Sequence, residues 1–376
     1  MICVIENKNF SLKDVKQTSF ISSWDPNEVA DFHETIGNKE TPLVKLPGLA
    51  KRLGIGSLLL KDESHRFGLN AFKALGASYA MYRQIEKNPK IKTFCTATDG
   101  NHGRAVAWMA RKLGRKALVY MPQRTVADRV KAIEQEGADV FVIDEAYDTA
   151  VKMASTRVDE ANKKSGNHFW SLIQDTAWDG YEEVPLDIMK GYWTQIHEIT
   201  RQIGKEKIDV LFLQTGVGSW AASIIGYIMK EWQNLPVCIS VEPHSANCLF
   251  ESIKIGNRVS VENNDTTIMA GLNCGSVSIL AWPILKYGLT ASISIPDKLS
   301  EEAMKILAHP ISDDQFVISG EFGASGLGAL IGLCQTHDLR TFKEKICLNK
   351  TSTVLVINTE GDTDRSNYER VMNDNI

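Results

Sequence analysis

Short apolar runs alternate along the chain with segments of helical periodicity. The runs predict buried strands at 57–61, 93–97, 116–120, 139–143, 209–214, 237–242 and 353–358. Apolar residues at helical spacing predict helices at 70–85, 101–113, 125–136 and from residue 219 onward. Strands that alternate with helices indicate an α/β protein with parallel sheets.

Capping residues predict where three of these helices begin. Asn70 can cap the helix that holds Lys73, which would place Lys73 at the third helical position. Asn101 can act as the N-cap of the next helix, and Thr125 with Asp128 resembles a capping box. These starts matter because they decide which side chains face the strand ends.

The strand spacing predicts two sheets. Strand centres between 93 and 143 lie about 22–24 residues apart, the spacing of compact strand–helix–strand units. A single sheet would need too many strands, so we expect a doubly wound protein with two α/β domains. The expected large domain comprises residues 1–76 and 191–376, and residues 77–190 form a small inserted domain. The polar stretch 256–267 is expected to be a surface loop.

The composition narrows the class of protein. The 376 residues are 43% hydrophobic and 23% charged, which suffices for a sizeable core. A net charge of −4 gives no basic field for nucleic acid or an anionic membrane. Apolar stretches end short of a membrane span. We expect no signal peptide, because Glu6 interrupts the N-terminus before a hydrophobic region of signal-peptide length can form. Seven cysteines without a C-x-x-C pair favour reduced thiols in the cytoplasm.

Open parallel sheets bind ligands beyond the carboxyl ends of their strands. Segments with unusual chemistry follow four of the predicted strands, at 61–76, 96–104, 213–220 and 357–364. The first holds Lys73, whose pKa a helix start and apolar neighbours are expected to lower. Such a lysine is suited to forming a Schiff base, whereas the alternative is a solvated helix lysine.

The glycine-rich segment 216–219 follows a strand and opens a helix, an arrangement whose backbone amides bind phosphate. Gly216, Gly218 and Ala221 also fit the dinucleotide pattern G-x-G-x-x-A, with Glu242 as an acid about 26 residues beyond Gly216. A turn that only packs the helix on the strand is a third interpretation. The segment alone leaves the three open.

The turn at 99–103 places Asp99 at a strand end, where its carboxylate would face the cleft. His102 can be a base, although a lone histidine is more often a hydrogen-bonding residue at a helix start. Other catalytic patterns fail on spacing: the chain has no P-loop and no H-E-x-x-H helix. Residues 362–367 lack a complete calcium loop, and Ser325 is not in a nucleophile elbow, so we predict no metal site.

Together these segments resemble the fold type II pyridoxal-phosphate enzymes, the threonine dehydratase and tryptophan synthase β-like group. Within that group, several motifs are similar to those of the diaminopropionate ammonia-lyase family: KDESHRFGLNAFKALG, ATDGNHGRAVAW, QDTAWDGY, TIMAGLNCG, VISGEFGASGLG and NTEGDTD. They run in the family's order from about residue 41 to 365. The resemblance implies two domains with pyridoxal 5'-phosphate in the cleft between them.

The resemblance also implies how the cofactor is held. Lys73 would bind it as an internal aldimine, and Asn101 would hydrogen-bond its phenolic oxygen. Thr359, or else Asn358, would face its pyridine nitrogen. Its phosphate would be bound by Gly216, Val217, Gly218 and Ser219.

The implied reaction is the α,β-elimination of 2,3-diaminopropionate to pyruvate and two ammonia molecules. Lys73 would take the Cα proton of the L-isomer and Asp99 that of the D-isomer. Asp175 would support the second amino group, and Thr98 is expected to contact the substrate beside these acids. Two carboxylates favour a cationic side chain over serine or threonine. The alternative for Asp175 is an acid at a helix N-terminus before Trp178.

Trp220 and Phe322 stand where this family usually has a small residue and a serine. They motivate a second hypothesis, a dehydratase or β-replacement enzyme that acts on another β-substituted amino acid. A third hypothesis is a cofactor-binding protein without turnover, against which Lys73, Asp99 and Asp175 argue. Since proteins of this fold are often dimers, we expect a homodimer.

Overall fold

The structure is a computed structural model that describes residues 1–16, 21, 23–123, 125–145, 147–262 and 267–374. Its strands are β1 (Cys3–Glu6), β2 (Leu43–Lys45), β3 (Ser57–Asp62), β4 (Thr93–Ala97), β5 (Lys116–Pro122), β6 (Asp139–Ile143), β7 (Trp170–Leu172), β8 (Val210–Gln214), β9 (Val237–Pro243), β10 (Ala291–Ile295) and β11 (Thr353–Asn358). Its helices are α1 (Leu12–Lys16), α2 (Pro26–Thr35), α3 (Pro47–Leu53), α4 (Lys73–Lys87), α5 (Asn101–Lys112), α6 (Ala127–Glu134), α7 (Tyr147–Ser165), α8 (Glu183–Gly191), α9 (Trp193–Ile203), α10 (Ser219–Glu231), α11 (Cys248–Ile255), α12 (Ala281–Gly288), α13 (Asp297–Ala308), α14 (Ser325–Gln335), α15 (Arg340–Lys345) and α16 (Arg365–Asn373). Within these ranges, every helix is too short or too polar to cross a lipid bilayer.

The larger sheet of the described chain has seven strands in the order β1-β10-β9-β8-β11-β3-β2. Its five inner strands are parallel, and β1 and β2 pair antiparallel at the two edges. Alternate residues enter apolar clusters on opposite faces: Leu211 and Leu355 pack on one side, Val210 and Val354 on the other. Both faces are therefore covered, which explains why inner strands such as β8 and β11 are continuous apolar runs.

The smaller sheet has four parallel strands in the order β6-β5-β4-β7. All four lie within 93–172, inside the segment expected to form the inserted domain, although the domain boundaries stay a prediction. Its strand β6 is at the edge and leaves Phe141 and Val142 about half exposed. Two sheets covered by helices confirm the predicted α/β class.

The strands are confirmed to within two residues of the predicted bounds, and so are the helix starts at 101, 125 and 219, but the start at 70 and the three predicted caps are wrong. The helix with Lys73 begins at Lys73 itself, because Asn70 has a left-handed φ of 58° and cannot start it. Gly100 precedes α5, so Asn101 is not its N-cap. Val126 precedes α6 without a side-chain cap, which makes the capping box at Thr125 wrong.

The expected surface loop at 256–267 is described only in part. Residues 263–266 lie outside the described residues, and 257–262 form neither helix nor strand. Of these six, Val259 and Val261 are partly buried, and the guanidinium of the exposed Arg258 donates to the Val277 carbonyl. The described part of the loop is therefore fastened to the segment before α12.

A buried ion network fastens the segment before α4 to helix α9. Glu198 accepts hydrogen bonds from Lys61 at 2.8 Å and from Arg66 at 2.7 Å. Arg66 also donates to Glu63, whose carboxylate accepts the Thr41 hydroxyl. The members of the network come from distant parts of the chain, from residue 41 to residue 198, so the network fixes where the chain leaves β3.

Candidate active site

A cleft of about 780 Å³ lies at the carboxyl ends of strands from both sheets. Its position agrees with the rule that open parallel sheets bind ligands there. The structure brings into its walls every residue of the predicted site: Lys73, Thr98, Asp99, Asn101, Asp175, Gly216, Val217, Gly218, Ser219 and Thr359.

Lys73 forms an ion pair with Asp175 in this cleft, with Nζ 2.7 Å from Oδ2. Burial lowers the pKa of Lys73, but the Asp175 carboxylate outweighs it, and the pKa lies above its ordinary value. The predicted lowering is therefore wrong for the free amine, because a partner 102 residues away reverses it. Burial raises the pKa of Asp175 in turn, and Lys73 and His102 outweigh it and lower the value to about 2.

Asp99 lies in a turn that the surrounding residues hold tightly. The Thr98 hydroxyl accepts the amides of Gly100 at 2.9 Å and Gly103 at 3.1 Å. Gly100 has a φ of 153°, and a Cβ there would lie 2.8 Å from Cδ of Arg129. Arg129 also donates to the Asp99 carbonyl at 3.4 Å. The turn is thus held by hydrogen bonds to Thr98 and Arg129, and position 100 has no room for a side chain.

His102, which the sequence leaves as either a base or a hydrogen-bonding residue, contacts the Ile173 carbonyl through Nε2 at 2.8 Å. Burial lowers the pKa of this imidazole, so it is neutral and donates from Nε2. Its Nδ1 has no hydrogen-bond partner among the described residues. The contact supports the hydrogen-bonding interpretation.

The segment 216–219 joins β8 to α10, as a phosphate-binding turn requires. Gly218 has a φ of 90°, and a Cβ there would lie 2.6 Å from Cδ1 of Leu285. The dinucleotide interpretation loses its acid, because both Glu242 oxygens accept amides of α11, from Leu249 and Phe250. The amides at the start of α10 remain suited to a phosphate.

Of the two residues left open for the pyridine nitrogen, Thr359 lines the cleft. Gln214 donates to its hydroxyl at 3.0 Å. The Asn358 amide instead donates to Asp62 and to the Ile318 carbonyl. The cleft therefore offers a lysine amine, a phosphate turn, an amide and a hydroxyl, which is the set of groups that pyridoxal phosphate needs.

The comparison with protein families agrees with this set. Residues 35–360 match the family described as pyridoxal-phosphate dependent enzyme. The chain belongs to that family. The resemblance to fold type II enzymes is thereby confirmed, and so is the expected cofactor.

Within the pyridoxal-phosphate enzymes, the chain is similar to diaminopropionate ammonia-lyases. The protein from Salmonella typhimurium is 41% identical, over 92% of this chain and 91% of that protein. The Escherichia coli K12 protein is 40% identical over 99% and 96% of the two chains. A crystal structure of the E. coli enzyme in complex with an aminoacrylate-PLP azomethine reaction intermediate matches 99% of this chain and 97% of that one with a TM-score of 0.90 and 39% identity.

The two departures from the family's motifs pack into the wall of the cleft. The Trp220 indole donates to Gln195 at 2.8 Å, and its ring centroid lies 5.3 Å from that of Phe72. The Phe322 ring lies against Gly271, where a Cβ would be 2.5 Å from its Cε1. Both aromatic side chains are thus anchored by neighbours in the protein.

Sequence reasoning missed Gln174, which fastens the segment before Asp175 to strand β4. Its side chain pairs with both backbone groups of Ala97 and donates to the Tyr147 hydroxyl at 2.8 Å. The signal was its place beside Asp175 in the Q-D-T-A-W motif. The segment 176–182, directly after Asp175, is not helical, and Trp178 forms a bridge with Tyr181, so the helix-terminus interpretation of Asp175 is wrong.

Proposed function

We propose that this chain catalyses the α,β-elimination of 2,3-diaminopropionate to pyruvate and two ammonia molecules. Relatives named diaminopropionate ammonia-lyase, about 40% identical over nearly the whole chain, support the assignment. The observation that carries it is the ion pair inside the cleft between the Asp175 carboxylate and the ammonium group of Lys73, at 2.7 Å. The pair supports the proposal because Asp175 holds a cationic amine at this place.

The cofactor and the chain divide the work. Pyridoxal phosphate, when bound, supplies the electron-withdrawing ring that takes up negative charge from the substrate Cα. Lys73 would be joined to it, and the amides of 216–219 would bind its phosphate. Asn101 would hydrogen-bond its phenolic oxygen, and Thr359 would face its pyridine nitrogen.

The electrostatics of Asp175 select the substrate. With pyridoxal phosphate bound, Lys73 would be engaged by the cofactor, and Asp175, with 5% of its surface exposed, would be free to accept another cationic partner. An ammonium on the substrate Cβ restores the pair, whereas the hydroxyl of serine does not. Removing one partner of a buried pair costs about 3–5 kcal/mol, or about 10²–10⁴-fold in preference.

Two bases account for two isomers. Lys73 would take the Cα proton of the L-isomer. L- and D-isomers present this proton to opposite faces when their carboxylates are held alike, so Asp99 is assigned to the D-isomer. Asp175 holds the amine that leaves from Cβ, and Thr98 contacts the substrate beside the two acids.

The test is a panel of β-substituted amino acids assayed for pyruvate and ammonia. Both isomers of 2,3-diaminopropionate should give two ammonia molecules per pyruvate, whereas serine can give only one. Asp175→Asn should reduce turnover of the diamino acids far more than turnover of serine. A parent enzyme that turns over serine or threonine better than either diamino acid is a dehydratase instead.

The arrangement of domains belongs to the proposal as well. We assign residues 1–76 and 191–376 to a large domain and 77–190 to a small one, with the substrate bound between them. The smaller sheet, all within 93–172, supports this division. Crystals with and without a substrate analogue would test it through the relative position of the two sheets.

We also propose that the protein is a cytoplasmic homodimer. Seven cysteines without a disulfide suit a reducing compartment. The dimer is an expectation from the fold, and light scattering on the purified protein measures it directly.

A further inference from the structure

Glu360 is a buried acid beside the cleft, directly after Thr359. None of its surface is exposed. Its Oε2 accepts hydrogen bonds from Nδ2 of Asn101 at 2.8 Å and from the Thr363 hydroxyl at 2.6 Å. Its Oε1 has no partner among the described residues. Because Asn101 begins α5 and Glu360 follows β11, the first of these bonds joins the two sheets at the cleft.

We propose that Glu360 is a positioning residue that orients the Asn101 carboxamide toward the cofactor. The inference rests on the proposed function, in which Asn101 meets the phenolic oxygen of pyridoxal phosphate. An asparagine side chain can present either its oxygen or its nitrogen to a ligand by rotating about its last bond. Because Oε2 of Glu360 acts only as an acceptor, it binds the NH₂ end of the Asn101 side chain and not the oxygen end. The second N–H of that nitrogen is then left for the cofactor.

The unequal surroundings of the two carboxyl oxygens keep Oε2 an acceptor. Burial raises the pKa of Glu360 to about 8, with Arg129 lowering it and Glu321 raising it further. The acid is therefore largely protonated at neutral pH. Since Oε2 already accepts two hydrogen bonds and Oε1 accepts none, the proton belongs on Oε1. Oε2 accepts in both protonation states, so the orientation of Asn101 does not depend on the charge.

This arrangement predicts that glutamine can replace Glu360. The amide oxygen of glutamine can take the place of Oε2, and its NH₂ group takes the place of the protonated Oε1. Methionine has a similar shape but lacks the oxygen acceptor. Glu360→Gln and Glu360→Met therefore separate the acceptor from the volume and from the charge.

The experiment is a pH titration of the absorbance of the lysine-bound cofactor in the holoenzyme without substrate. Asn101→Ala should move the apparent pKa by about 1, the equivalent of one charge-assisted hydrogen bond. Glu360→Met should move it in the same direction by a similar amount. The double variant should move it no further, because both changes remove one interaction. Glu360→Gln should match the parent, and so should the control Thr363→Val.

Four outcomes overturn the inference. A shift from Asn101→Ala with none from Glu360→Met means that Asn101 orients itself. Additive shifts mean that Glu360 acts independently, and a shift from Glu360→Gln means that its charge acts on the cofactor. If Asn101→Ala has no effect, Asn101 does not meet the phenolic oxygen. Should Glu360→Met fail to fold, Glu360→Ala gives the same comparison. Pyruvate release from diaminopropionate is assayed in parallel, so that failure here is distinguished from failure of the proposed function.

Discussion

Asp175→Asn should change the reactivity of a different residue, Lys73. The substitution preserves the size of the side chain and removes the carboxylate that lies 2.7 Å from Nζ. In the parent, burial lowers the pKa of Lys73, and the carboxylate raises it by more. In the variant burial dominates, so we expect the pKa of the Lys73 amine to fall.

The size of the fall follows from the burial of the pair. Removing one partner of a buried ion pair costs about 3–5 kcal/mol, and about 1.4 kcal/mol corresponds to one pKa unit. Lys73 keeps 17% of its side chain exposed, so we take the lower end, a fall of about 2. Well below the pKa, the neutral fraction of the amine then rises about 100-fold.

The neutral amine is the form that attacks a carbonyl, so the variant should capture cofactor faster. Apoprotein of the parent and of Asp175→Asn would be mixed with pyridoxal phosphate between about pH 6 and 9, with the absorbance change followed by stopped flow. Across this range we expect Asp175→Asn to capture the cofactor about 100-fold faster than the parent, in line with the larger neutral fraction of the Lys73 amine. The matched control is Asp99→Asn, which removes a carboxylate from the same cleft and leaves the Lys73–Asp175 pair intact.

Capture with the same rate and the same pH dependence in parent and variant would refute this reasoning. It would mean that the ion pair does not govern the protonation of Lys73. A change of equal size in Asp99→Asn would show instead that the total charge of the cleft matters and that the contact does not. The assay measures cofactor capture alone, so it is independent of the substrate.

Four further variants test the site and the fold. Borohydride reduction should place the pyridoxyl adduct on the Lys73 peptide, and Lys73→Ala should lack it; an adduct on another lysine contradicts the site. Asp99→Asn should lower activity on the D-isomer by about 10²–10⁴-fold and affect the L-isomer far less, whereas equal losses would limit Asp99 to an electrostatic role. Gly218→Val should lose cofactor on dialysis, since a valine there would have a φ of 90° and would collide with the side chain of Leu285 in α12. Undiminished retention would place the phosphate elsewhere. Glu198→Ala removes the carboxylate that pairs with both Lys61 and Arg66, of which, in the described chain, only Arg66 keeps a second carboxylate partner, Glu63. It should lower the free energy of unfolding in urea by about 3–5 kcal/mol, and a loss below about 1 kcal/mol would mean that the network relaxes.

The sequence by itself determined seven of the eleven strands in the described chain, the α/β class and the cofactor. Inner strands of the larger sheet such as β8 and β11 are continuous apolar runs because both faces of the sheet are covered, so their composition alone predicts them. The turns with Lys73, Asp99 and Gly218 were found because each follows a strand, and parallel strands bring their carboxyl ends to one edge. The choice between Thr359 and Asn358 stayed open, because neighbours in sequence point to opposite sides of a strand end.

Only the tertiary structure decided the electrostatics and the orientation of the site. The pKa of Lys73 is raised where local reasoning lowered it, because Asp175 comes from the other sheet. Asn101 was expected to cap a helix, yet its amide donates to Glu360, 259 residues away. Periodicity and capping signals act over a few residues along the chain, whereas Coulomb interactions and hydrogen bonds depend on distances in space. Those distances exist only once the two sheets have packed together.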